Sequence, residues 1–219
     1  NLVGIRKHGI CGQNIILPPF KAASDAGVRT FMNSFNEISG IPSTGNSYLQ
    51  RKILKGEWNF NGFVVSDWGS IREMINHGYA KDNKQASEIA VIAGSDMDME
   101  SSLYVRELQG LVKDGKVDIS VIDDAVKRIL GVKYDLGLFE DPYKYCDLER
   151  EESVIGSKEN NLAALDMAKK SIVLLKNNQN LLPLAKSQKN IAVIGALAAD
   201  KNSPLGNWRM GSDDNSATS

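Results

Sequence analysis

The sequence is short of the features that assign a protein to a class at once. Cysteine is scarce: Cys11 and Cys146 are the only two, too few for a disulfide framework and without the paired C-x-x-C spacing of a structural zinc site. They are read as two unlinked thiols, and no metal centre is expected. No apolar run approaches the roughly 18 residues of a membrane-spanning helix, and the first 20 residues lack the charged, apolar and cleavage regions of a signal peptide. Charge of one sign is also missing. Twenty-six basic residues stand against 27 acidic ones, well mixed, so no field favours nucleic acid or an anionic membrane surface. Nor is there a fixed-period repeat or a low-complexity tract, which sets aside solenoid and fibrous classes. Gly195-Ala196-Leu197-Ala198-Ala199 follows an apolar run but has neither G-x-G-x-x-G nor the lysine-hydroxyl pair of a P-loop, so no cofactor is expected.

What is present is an alternation of strand and helix signals. Phe31-Met32-Asn33-Ser34-Phe35 is a short apolar run with aromatic ends, closed by a Gly40/Pro42 turn, and reads as a buried strand. A helix is expected near 46–55. Gly62-Phe63-Val64-Val65-Ser66-Asp67 is the clearest strand: continuous and β-branched, as parallel strands buried on both faces are. Ser70 and Glu73 have capping-box spacing, so the chain is expected to turn from that strand directly into a helix.

A second helix is expected at 83–93, with Ala86, Ile89, Ala90 and Ala93 on one stripe and Gly94 as its stop. Residues 95–99 read as a short strand. Helices at 103–113 and 120–134 come next, separated by Asp114-Gly115. From Gly137 the periodicity breaks into Pro, Tyr, Asp and Glu, the pattern of a linker. A helix at 158–170 then precedes two continuous apolar runs, 171–176 and 190–195, that read as strands of a parallel sheet. The resulting class is α/β: βα units through residue 139, of the kind that build a (β/α) barrel, a linker at 140–157, and the start of a second α/β domain in 158–219.

In such a barrel the active site lies at the carboxyl ends of the strands. Asn36, Asp67, Asp96 and Asp98 close predicted strands and are the candidates. Position alone allows Asp67 a plainer role, as a turn carboxylate accepting nearby backbone amides. Trp68 beside it suits stacking on a sugar ring better than packing. Asp96, Asp98 and Glu100 alternate like ligands of a hard cation, but EF-hand spacing is missing, and a hydrogen-bonded strand end is the better reading. His77 is expected to be a solvated residue at a polar helix end.

Several stretches together resemble glycoside hydrolase family 3: Leu17-Pro18-Pro19-Phe20-Lys21, Asn33-Ser34-Phe35-Asn36, Gly62 through Trp68, Asp96-Met97-Asp98-Met99, Val132 through Phe139, Ser171 through Asn177, Leu181-Leu182-Pro183-Leu184 and Ile191 through Gly195. They cover roughly residues 16 to 219 in the family's order. The resemblance implies that residues 1–139 are the carboxyl-terminal part of a TIM-like (β/α) barrel and 158–219 the start of an α/β sandwich domain, that Asp67 is the catalytic nucleophile, and that Trp68 and Met32 line the subsite of the reacting sugar. It implies a retaining, exo-acting β-glucosidase-type hydrolase acting on an oligosaccharide or β-glucoside, with β-xylosidase or N-acetylglucosaminidase specificity as alternatives on the same scaffold. It also suggests a periplasmic or secreted location.

In this family the acid/base glutamate comes from the second domain, beyond the last residue here. The chain is therefore expected to be a piece truncated at both ends, impaired by itself and poorly soluble, with a non-catalytic carbohydrate-binding fragment as the rival reading. Glu37 and Glu100 are weak substitutes for that acid. Residues 1–15 match nothing in the family, and Lys7-His8, superficially like its sugar-binding pair, lies too close to Leu17 to be carried over.

Overall fold

The computed structural model describes residues 15–187, 190–206, 208 and 209. Lys7, His8 and Cys11 lie outside the described residues. The chain divides into two compact units, Asn1–Asp147 and Leu148–Ser219.

In the first unit, helix α1 (Leu17–Asp25) has proline in its first turn, where the missing N–H is no loss. Strand β1 (Thr30–Met32) pairs in parallel with β4 (Phe63–Val65), so that Thr30, Phe31 and Met32 stand level with Phe63, Val64 and Val65. A small antiparallel hairpin, β2 (Glu37–Ile38) with β3 (Ile41–Pro42), leads from β1 to a wide helix at Tyr48–Glu57. The Trp58 N–H of that helix reaches back five residues to the Ile53 carbonyl.

Beyond β4 the chain forms α2 (Ser70–Asn76), α3 (Asn83–Ala93), α4 (Leu103–Lys113) and α5 (Ile119–Asp135). Helix α3 starts on Asp82, whose carboxylate accepts the Gln85 N–H at 2.8 Å, and ends on Gly94 at φ +108°. Of the expected stripe, Ala86, Ala90 and Ala93 are buried and Ile89 is half-buried; Ala86 and Ala90 form one core with Ile71, Met74, Ala80 and Leu103. Leu54, Phe60 and Val64 form a second between the wide helix and the sheet, with Phe31 and Trp58 packed on it. Removing this much apolar surface from water supplies the main drive for the unit.

Three expectations are corrected here. The segment 95–99 is not a full strand: it forms a single parallel bridge with β4, Val65 to Met97, and just past the left-handed turn at Gly94 the Val64 N–H goes to the Asp96 side chain at 2.8 Å in place of a main-chain carbonyl. The capping box does not form. Gly69, left-handed at φ +69°, begins α2 without a side-chain cap, and the Ser70 hydroxyl instead meets the Thr44 hydroxyl at 3.0 Å in a buried network. His77 is not merely solvated, because its Nδ1 lies 2.7 Å from Glu37 Oε1.

The second unit holds helix α6 (Leu148–Val154) and helix α7 (Lys158–Ser171), the latter capped by the Ser157 hydroxyl accepting the Asn160 N–H at 3.2 Å. Helix α6 lies within 140–157, so that stretch is not extended throughout. The runs 171–176 and 190–195 form no ladder among the described residues. Ile172, Val173, Leu174 and Leu175 are exposed, as are Ile191, Val193 and Ile194. An apolar run becomes a strand only beside another strand that takes its N–H and C=O groups, and among the described residues these runs have no strand partner.

Candidate active site

Strand β4 delivers Asp67 from a buried stem. Val64 and Ser66 are buried and Asp67 is half-buried. Asp67 follows two residues after Val65, the last residue of β4. Because Met32 and Met97 stand level with Val65 on either side, these three side chains share one face of the sheet. Met32 is 55% and Met97 44% exposed, which leaves two polarizable side chains open beside the carboxylate's strand.

The main chain around Asp67 is tightly held. Its carbonyl accepts the Ser70 N–H at 3.1 Å and the Ser66 hydroxyl at 3.0 Å. Ser66 N–H donates to the Met97 carbonyl at 2.8 Å, the Met99 N–H donates to Ser66 Oγ at 2.8 Å, and the Gly69 N–H donates to the Met99 carbonyl at 2.9 Å. At Gly69 the positive φ and the Glu100 carboxylate, 3.3 Å from where a Cβ would stand, both favour glycine. The carboxylate accepts the Trp68 N–H at 2.7 Å, and the Trp68 indole is 45% exposed. That bond matches the plain turn role, yet it occupies one lone-pair site of an acceptor with about four, leaving the carboxylate able to act.

Beneath the strand ends lies a polar network. Asn33 Nδ2 donates to Ser95 Oγ at 2.7 Å, the Thr44 hydroxyl lies 3.0 Å from Asn33 Oδ1, and Gln50 Nε2 donates to the Ser43 and Thr44 carbonyls at 2.9 and 3.0 Å. The Tyr104 hydroxyl donates to the Ser95 carbonyl at 2.7 Å, and loss of hydration, then Asp98 and Asp96, push its pKa well above the ordinary phenol value. Buried polar groups that are all partnered specify one arrangement of their segments, here the corner joining β1, the wide helix and the 95–99 segment.

The other strand-end candidates have structural partners. Asp96 is paired with Lys55, Nζ to Oδ1 at 2.6 Å. Asp98 accepts the Leu103 N–H at 2.7 Å and the Ser101 hydroxyl at 2.5 Å. Asn36 is exposed and is held through its main chain, its carbonyl accepting the Ser43 N–H at 2.9 Å. Sequence reading missed Met97 on the Met32 face and the Lys55–Asp96 pair. The first was readable from parallel register; the second joins residues 41 apart and leaves no local signal. A cavity of about 210 Å³ beside α1 and the wide helix is mostly apolar, lined by Phe20, Phe31, Met32, Leu49, Leu54 and Trp58 among others; of the predicted site residues Met32 borders it, and Asp67 and Trp68 do not.

The family models agree with this architecture. The model described as "Glycosyl hydrolase family 3 N terminal domain" matches residues 12–132, more than half of the chain, and "Glycosyl hydrolase family 3 C-terminal domain" matches 172–218. The chain belongs to glycosyl hydrolase family 3.

Its parallel strands and their helices are a fragment of an α/β TIM-barrel, as in the family's β-glucosidases. The periplasmic β-glucosidase of Salmonella typhimurium is 42% identical over 198 residues, 89% of this chain and 26% of that protein. A β-xylosidase of Formosa agariphila is 35% identical over 208 residues, 90% of this chain and 28% of that protein. Among solved structures, the Listeria innocua β-glucosidase in complex with glucose superposes at TM-score 0.65 with 43% identity, covering 77% of this chain and 23% of its own. A β-glucosidase of saponin metabolism from intestinal bacteria reaches 0.72 with 40% identity, covering 89% and 26%. This chain therefore spans about a quarter of the length of the curated relatives it matches.

Proposed function

We propose that the protein carrying this chain is a retaining glycoside hydrolase that releases terminal β-linked glucose, or a related sugar, from oligosaccharides or β-glucosides. The observation that carries this reading is the half-buried Asp67 carboxylate at the carboxyl end of a buried parallel strand, next to an exposed indole, in a family whose relatives are named β-glucosidases and β-xylosidases.

Ionised Asp67 attacks the anomeric carbon and the bond to the leaving oxygen breaks, giving a covalent glycosyl-enzyme; water then displaces the carboxylate, so two inversions give net retention. The leaving oxygen takes a proton from a second carboxyl group, which in this reading is a glutamate of the second domain outside this chain. Glu37 is engaged with His77 and is not assigned that role. Trp68 stacks on the sugar in the reacting subsite, with Met32 and Met97 as its apolar wall. No cofactor takes part. The name of the Salmonella relative supports a periplasmic location.

The test uses the native gene product. Asp67→Ala is expected to lower kcat on an aryl β-glucoside by about 10³-fold or more, and added azide is expected to restore turnover while giving the α-glycosyl azide. Wild-type turnover in the variant without azide would defeat the reading. The β-xylosidase relatives keep a second specificity in view, decided by kcat/KM on matched aryl glucoside and xyloside: the two sugars differ by one hydroxymethyl group, which a site that hydrogen-bonds its hydroxyl discriminates strongly.

A further inference from the structure

Gly94 ends α3 in the left-handed region at φ +108°, and the segment beyond it pairs with β4 through an interrupted ladder. The Gly94 carbonyl accepts Lys55 Nζ at 2.8 Å, while the Val64 N–H, which a neighbouring main-chain carbonyl takes in an ordinary parallel ladder, donates to Asp96 Oδ2 at 2.8 Å. Lys55 Nζ closes the gap with bonds to both Asp96 oxygens at 2.6 and 2.7 Å. The two side chains thus complete a strand pairing that the turn at Gly94 breaks.

The pair is nearly sealed, with side-chain exposures of 5% for Lys55 and 1% for Asp96. Desolvating two charges is expensive enough that apolar residues of similar volume commonly serve stability as well. What an apolar pair cannot do is hold the Val64 N–H and the Gly94 carbonyl in register. From Val64 the ladder runs to the candidate nucleophile: Asp96 N–H and Met97 N–H both donate to the Val64 carbonyl, Ser66 N–H to the Met97 carbonyl, and Gly69 N–H to the Met99 carbonyl.

We propose that Lys55 and Asp96 are positioning residues for Asp67, fixing the register of the 94–99 segment against β4 so that the carboxylate is presented at attack distance. This rests on the reading of Asp67 as nucleophile. Neither residue touches the sugar in this proposal; each acts through the main chain of β4. A displacement of about 1 Å at a reacting group can cost about 10²-fold in rate without changing what binds, so the signature is a split between rate and affinity.

The experiment tracks inactivation of the native gene product by a dinitrophenyl 2-deoxy-2-fluoro-β-glucoside, whose leaving group departs without acid help, so that the rate constant reports nucleophilic attack. In Asp96→Asn, which is nearly isosteric, and in Lys55→Met/Asp96→Leu, which leaves no unpaired buried charge, the rate constant is expected to fall about 10–100-fold, with the dissociation constant of the reagent within about threefold of wild type. Lys55→Arg, which keeps the cation and its donors, is expected to recover most of the rate. Folding is checked by circular dichroism, and if the double variant does not fold, Asp96→Asn decides. An unchanged rate constant in Asp96→Asn, or a dissociation constant that rises in step with the lost rate, overturns the proposal. The label's location separates the two ideas: a label away from Asp67 defeats the nucleophile reading, whereas a label on Asp67 with unchanged rates defeats the positioning proposal alone.

Discussion

Asp98 caps a helix that begins five residues after it: its Oδ2 accepts the Leu103 N–H at 2.7 Å and the Tyr104 N–H at 3.2 Å. Ser102, the residue in the cap position, is left-handed at φ +57° and gives α4 no side-chain cap, so the carboxylate is supplied from further back. Asp98→Ala is expected to destabilise the first unit by about 0.5–2 kcal/mol, as read from the shift in urea midpoint. A midpoint unchanged from wild type would show that α4 does not depend on this cap.

Gly62 makes the closest main-chain approach at the start of β4. A Cβ there would stand 1.9 Å from the Arg29 carbonyl oxygen and 2.5 Å from the Phe60 ring, and the Gly62 carbonyl also accepts Arg128 Nη1 at 3.0 Å. Gly62→Ala must therefore displace β4 from the residue before β1, at a cost of about 1–3 kcal/mol or more. Thermal denaturation reads this directly; an unshifted Tm would mean that the two strands separate more easily than their register implies.

Burial lowers the Lys55 pKa from 10.5 to about 8, with Asp96 working against the shift and Arg51 and Arg128 adding to it. Above pH 8 the folded protein gives up this proton while the unfolded chain keeps it until about 10.5, so stability from this group rises through that window and is lost as pH falls back through 8. The full change is about 3 kcal/mol at roughly 1.4 kcal/mol per unit. Lys55→Arg holds its proton throughout, so the wild-type-minus-variant difference in unfolding free energy is expected to rise between pH 8 and 10.5. A flat difference contradicts the assignment.

Much of the first unit was legible because its signals are local. The β-branched run ending at Asp67 could be little else than a buried strand, and Ala86, Ala90 and Ala93 repeat at helical spacing with Gly94 as stop. The site's position came from the strand's carboxyl end. What escaped reading depends on distant partners: Lys55 with Asp96, Glu37 with His77, and the Ser70 hydroxyl drawn from its cap to Thr44. The runs 171–176 and 190–195 have strand composition, but strand composition becomes a strand only beside other strands, and the described residues of the second unit supply none.

That unit gives its own prediction. With Ile172 through Leu175 and Ile191, Val193 and Ile194 exposed, residues 148–219 produced alone are expected to show no cooperative thermal transition and to bind a hydrophobic dye. A sharp two-state melt would show that these residues build a core of their own.

Covalent trapping asks directly whether Asp67 forms a bond to the sugar. The native gene product is inactivated with a 2-deoxy-2-fluoro-β-glucoside, digested with protease and mapped by mass spectrometry. One added fluoroglucosyl mass is expected on the peptide containing Gly62 through Trp68, assigned to Asp67 on fragmentation. The same mass on any other residue, or inactivation with no covalent label, would contradict the nucleophile reading.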